Sequence, residues 1–164
     1  MSLKQQLQDE LKAALKAGDA NRRLTIGMVL SAVKNKELEK RNKISKAGVD
    51  PSQLDAQSAL TDDEAIDVVQ NEVKKRREAL EMYTQNSRAD LADKEKAELN
   101  ILMAFLPQQL SEDEIRTHVK AVIAEVQPQG IKDMGKVIGQ VMPRIKGQAD
   151  GQVVSRIVKE ELGV

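Results

Sequence analysis

The stretch Ser111-Glu112-Asp113-Glu114-Ile115-Arg116-Thr117-His118-Val119-Lys120-Ala121-Val122-Ile123-Ala124-Glu125-Val126 decides how the rest of the chain reads. Ser111 and Glu114 form a capping box, in which each side chain accepts from the other residue's backbone N–H. Ile115, Val119, Val122, Ile123 and Val126 then recur at helical spacing, so one face is apolar and the other charged. The acids at 112–114 fall where the helix dipole favours negative charge. Pro128 and Gly130 stop the helix.

The same grammar extends toward the C-terminus. A second helix is expected from about Asp133 to Met142, bent or ended at Pro143. Gly147 to Gly151 makes a turn with Asp150 as cap, and a last helix carries Val153, Val154, Ile157, Val158 and Leu162. Three helices in about 55 residues lie near the lower limit for folding alone. In the other direction, Pro107-Gln108-Gln109-Leu110 reads as a boundary, dividing the chain into a helical N-terminal domain over 1–107 and a three-helix domain over 108–164.

Within the N-terminal part, Ser2 and Gln5 cap a helix with Leu3, Leu7, Leu11 and Leu15, and Gly18 ends it. Asp19 starts another, with Leu24, Met28, Ser31 and Ala32 on one face and a charged tail, Lys34 to Lys46, expected to project into solvent. Ala47 to Leu60, with Gly48 and Pro51, reads as a loop. Thr61 to Glu64 is a second capping box. It opens a helix whose stripe Ile66, Val69, Val73, Leu80 and Tyr83 is interrupted by Arg76. Ser87 is expected to cap the next helix, which ends near Phe105.

Composition agrees with an all-α fold. Tyr83 and Phe105 are the whole aromatic supply, so any core is built from Leu, Ile, Val, Ala and Met. The absence of cysteine removes disulfides, thiolate nucleophiles and zinc-thiolate sites. No signal-peptide h-region or membrane-length apolar run is seen, so the expectation is a cytoplasmic protein with no membrane partner. Net charge is zero, yet charge is segregated. Arg22 to Lys46 holds eight basic residues against two acidic, and Asp50 to Glu72 holds seven acidic and no basic residue.

Self-sufficient catalytic chemistry is not visible. His118 lies between Ile115 and Val119 without an orienting partner or nucleophile motif and reads as structural. Asp62, Asp63, Glu64 and Asp67 lack the spacing of a calcium loop and suit a helix N-terminus. No cofactor is expected. Gly135-Lys136-Val137-Ile138-Gly139 is no Walker motif, because no strand precedes it. Glycines four apart share a helix face, which serves either close helix packing or close approach of a nucleic-acid backbone. In the second case Lys132, Lys136, Arg144 and Lys146 would supply phosphate contacts. Lys74-Lys75-Arg76-Arg77 is a second basic group and reads as a solvated face.

Several ungapped blocks resemble the YqeY family. They are Ser31-Ala32-Val33-Lys34-Asn35-Lys36-Glu37, Lys74 to Glu78, Phe105-Leu106-Pro107, Lys132 to Val137, Met142-Pro143, Lys146-Gly147 and Ala149-Asp150-Gly151. Gly27 departs from the pattern, standing where the family commonly has a basic residue. The family is similar to the C-terminal tail of GatB, a subunit of the glutamine-dependent amidotransferase acting on misacylated tRNA. That resemblance implies a helical domain followed by a three-helix one. It also implies a tRNA-contacting module that carries a carbon–nitrogen ligase label, with glutamine as amido donor, and no catalytic centre of its own.

Two functions stand as expectations. One is a tRNA-binding accessory protein. The other is an interaction module whose helices dock an amidotransferase or translation partner. A complete small-molecule enzyme would need convergent titratable groups in a pocket, and the sequence offers no such set.

Overall fold

The Ser2 hydroxyl accepts from the Gln5 backbone N–H at 3.2 Å and starts α1 (Leu3–Ala17) in the computed structural model, which describes residues 1–163. The Gln5 side-chain amide donates to Asp9 one turn on. Gly18, at φ 69°, closes α1 through Asp19 N–H to Ala14 C=O at 3.0 Å, a left-handed stop that glycine adopts without a Cβ clash. Asp19 then accepts from Arg22 N–H and opens α2 (Ala20–Lys46). The Pro51–Gln53 turn leads into α3 (Leu54–Ser58), followed by α4 (Asp62–Gln85), α5 (Ala89–Met103), α6 (Glu112–Val126), α7 (Met134–Arg144) and α8 (Gly151–Glu161). All regular structure among the described residues is helical, as the sequence predicts.

The chain forms two compact units, Met1–Phe105 and Leu106–Val164. In the first, α2 meets α1, α3, α4 and α5, while α4 and α5 form the most extensive helix pair. Its fully buried large side chains are Leu7, Ile26 and Leu102, with Val29, Val33 and Val69. The buried face of α2 is Thr25, Ile26, Val29, Val33 and Glu37. Leu24 and Met28, which the sequence places on one face with Ser31 and Ala32, lie on the opposite side and are 59% and 51% exposed. The covered face is the more β-branched one, whose compact side chains let several helices approach together.

Three expectations are corrected. The tail of α2 does not project: Glu37 is buried and accepts from Lys4 Nζ at 2.6 Å, Lys40 pairs with Glu64 at 2.7 Å, and Arg41 pairs with Asp55. The segment 47–60 is partly helical, because Asp50 caps the Pro51 turn and Leu54 provides an anchor buried on α2. Ser87 is no N-cap. At φ 56° it occupies the left-handed position that ends α4, where Arg88 N–H donates to Tyr83 C=O at 2.9 Å.

The second unit closes around an aliphatic core of Ile115, Val119, Val122, Val137, Val141, Ile145, Ala149, Val154, Ile157 and Val158. The Ser111–Glu114 capping box is formed as read, and Pro143 sits inside the last turn of α7. Leu110 N–H donates to Gln148 C=O at 2.8 Å, and the Gln109 amide donates to the carbonyls of Pro107 and Gly147. These bonds tie the segment after Pro107 to the turn before α8.

Candidate nucleic-acid interface

Helix α7 turns Val137 and Val141 inward, which dictates what its other side presents. Gly135, Lys136 and Gly139 lie on the exposed side, and Lys132 is exposed in the 3-10 turn Ile131–Asp133 that leads into the helix. An added Cβ at either glycine would meet no atom within 4 Å. The packing reading of these glycines is therefore corrected: no helix approaches them. Neither has positive φ, so the backbone does not require glycine there either. A helical glycine costs about 1 kcal/mol relative to alanine, and nothing inside this fold recovers that cost.

The four expected basic residues are placed differently from one another. Lys136 is exposed beside the glycines and Lys132 is exposed in the turn before α7, and among the described residues neither has an ion-pair partner. Arg144 lies beyond them and binds Glu125 of α6 through both terminal nitrogens, Nη1 at 2.8 Å and Nη2 at 2.5 Å. That pairing raises the Arg144 pKa and holds the Glu125 carboxyl below its ordinary value. Lys146 is half-buried and already engaged. The free positive charge of this surface is thus two lysines. A competing ligand would have to displace Glu125 to use Arg144.

Elsewhere, most charged side chains of the C-terminal unit are paired. Arg116 binds Glu160 and Glu161, and Arg156 binds Glu112 and Glu160, lacing α8 to α6. His118 is half-buried on α6, and among the described residues its side chain makes no hydrogen bond. Asp62 accepts from Leu3 N–H at 2.9 Å, Glu64 serves the Thr61 cap and Lys40, and Asp67 is also engaged.

The run Lys74 to Arg77 is not one solvated face. Lys74 and Lys75 are exposed, whereas Arg76 is only 6% exposed. Its guanidinium reaches Glu72 at 2.7 Å and Glu98 of α5 at 3.2 Å, and its remaining terminal nitrogen rests on Met28 Sδ at 3.5 Å. The sequence carried one signal of this triad: glutamates and an arginine in register with apolar stripes rather than between them.

An all-helical protein of two units, one carrying an open lysine–glycine face, is the class that fold and surface define. The family model described as Yqey-like protein matches residues 4–162, and the chain belongs to that family. It is 31% identical to Altered inheritance of mitochondria protein 41 of Pyrenophora tritici-repentis, over 66% of this chain and 61% of that protein. Identity to the protein of the same name in Lachancea thermotolerans is 31%, over 73% of this chain and 57% of that one. The chain thus spans about three fifths of the length of these relatives. It is also 43% identical to a subunit of the aspartyl/glutamyl-tRNA(Asn/Gln) amidotransferase of Thermoanaerobacter sp., over 35% of this chain and 14% of that protein. The fungal relatives are named as mitochondrial, which leaves the cytoplasmic expectation open to a second compartment. Among the described residues, no helix is long and apolar enough to cross a membrane.

Proposed function

We propose that this protein is a tRNA-binding accessory module related to aminoacyl-tRNA amidation, with its C-terminal unit as the contacting part. The observation that carries this is the α7 surface, where open space at Gly135 and Gly139 flanks the free Lys136, with free Lys132 in the turn just before the helix. Bare helix backbone lets a ribose–phosphate chain come close, and the lysines neutralise phosphates at its edges. Partial similarity to an amidotransferase subunit supports tRNA as the nucleic acid. In this reading amidation itself is carried out by other chains. The compartment is whichever charges that tRNA, the cytoplasm or the mitochondrial interior to which the fungal names point.

Shape and phosphate are read rather than base identity, since no aromatic side chain in this unit can stack on a base. Engagement of about four phosphates, with Arg144 and Lys146 joining the two free lysines, gives a log–log salt slope of about three. Titration of the full chain with tRNA at several salt concentrations measures it. The Lys132→Ala/Lys136→Ala double variant should bind more weakly and with a slope lower by about one to two. Equal binding by variant and parent would remove the α7 face from the proposal.

A further inference from the structure

The first unit carries a different surface, built from residues distinct from those of the α7 surface. Between α2 and α4 runs an open groove of about 670 Å³. Leu24, Gly27, Met28, Ser31 and Ala32 line one wall, with Glu72, Lys75 and Arg76 opposite. Leu24 and Met28 expose more than half their surface, and at i, i+4 they stand one above the other. An added Cβ at Gly27 would meet no atom within 4 Å, so the wall is hollow there. Hydrophobes and a glycine in this arrangement suit the ridge of another helix.

The charge in the groove is unbalanced. Arg23, Lys75 and Arg76 face two carboxylates, Glu72 and Glu98, leaving one positive charge. More telling is Arg76 Nη2, which belongs to a side chain more than nine-tenths buried and has only the Met28 thioether as acceptor. A thioether is a weak acceptor and a carboxylate a strong one for guanidinium. We propose that this groove docks an amphipathic, acidic helix of a partner protein, its apolar residues on Leu24 and Met28 and one carboxylate drawn to the Arg76 edge. A second copy of the chain is disfavoured, because apposed grooves would set Arg23 and Lys75 against their own kind. A nucleic acid is disfavoured because its phosphates would meet the Glu72 carboxylate and leave the exposed Leu24 and Met28 side chains without an apolar partner.

The probe is a helix-stabilised peptide of about four turns with Leu at i and i+4 flanked by Glu, beside its twin with Lys for Glu. The full chain carrying 13C-methyl methionine reports on Met28 directly. The acidic peptide should shift the Met28 methyl resonance saturably, and the basic twin should not. Gly27→Leu fills the hollow and Met28→Glu supplies the carboxylate in cis. Read by fluorescence anisotropy of the labelled peptide, because Met28→Glu removes the methyl reporter, each should weaken the acidic peptide at least about ten-fold while circular dichroism stays unchanged. Equal binding of both peptides, no shift at Met28, or undiminished binding to both variants would overturn the proposal. A Met28 shift with an RNA hairpin but not with the acidic peptide would overturn it in favour of a nucleic-acid surface. Since the α7 lysines are untouched in these variants, loss of peptide binding with tRNA binding intact separates the two readings.

Discussion

Arg76 stands in an apolar stripe of α4 and is kept there by Glu72 and Glu98. Removing charges from water is costly, and the triad tolerates burial only while each member has its partners. Arg76→Leu leaves the buried Glu98 carboxylate uncompensated, Glu72 keeping only Lys75, and should lower stability by about 3–5 kcal/mol. Replacing all three by apolar residues of similar volume should recover most of that loss. Denaturant melts of both variants check this, and a single variant costing under about 1 kcal/mol would place the triad effectively in water. Gly139 tests the opposite case, a residue with nothing around it. Gly139→Ala should raise stability by up to about 1 kcal/mol and weaken tRNA binding, because the methyl meets only a ligand. A destabilised Gly139→Ala protein would restore the packing reading. Sequence alone could not choose between these readings, since spacing puts both glycines on one face without showing what that face meets.

At the level of elements, the starts of helices were more legible than their partners. Caps at Asp19, Thr61, Ser111 and Asp150 need only a side chain reaching two or three residues ahead, so local order reveals them. Thr61→Ala should cost about 1 kcal/mol by thermal or denaturant melting. The clasp from α2 to α4 was not legible, since Lys40 and Glu64 lie far apart in sequence and look like two solvated charges. Lys40, with the Thr61 N–H second, holds the Glu64 carboxyl below its ordinary value of 4.5. A lowered folded pKa means the contribution is present above the unfolded value and is lost as pH falls through the folded one. The stability difference between the protein and its Lys40→Met variant should therefore be largest above about pH 5 and shrink on acidification below it. A difference that stays constant with pH would mean Lys40 acts through packing rather than charge.

For the molecule as a whole, two cores of separate composition imply separable responses. Leu7 is fully buried in the first unit and Ile157 in the second. Leu7→Ala should cost about 2–5 kcal/mol and Ile157→Val about 0.5–1.5 kcal/mol. Hydrogen exchange should show each loss of protection concentrated in its own unit. Protection falling equally across 1–105 and 106–163 after Leu7→Ala would instead make the chain one cooperative body.

Helix content, helix starts and an aliphatic core were readable from residue order, because capping, turn chemistry and apolar period act over a few residues. Which face of α2 is covered, where Arg76 points, and whether the α7 glycines touch anything were settled only when distant helices came together. Leu24 and Met28 show the reason: an apolar period states that a face can be buried, and only the packed neighbours decide that another face was chosen. The candidate surfaces are those that this choice left uncovered.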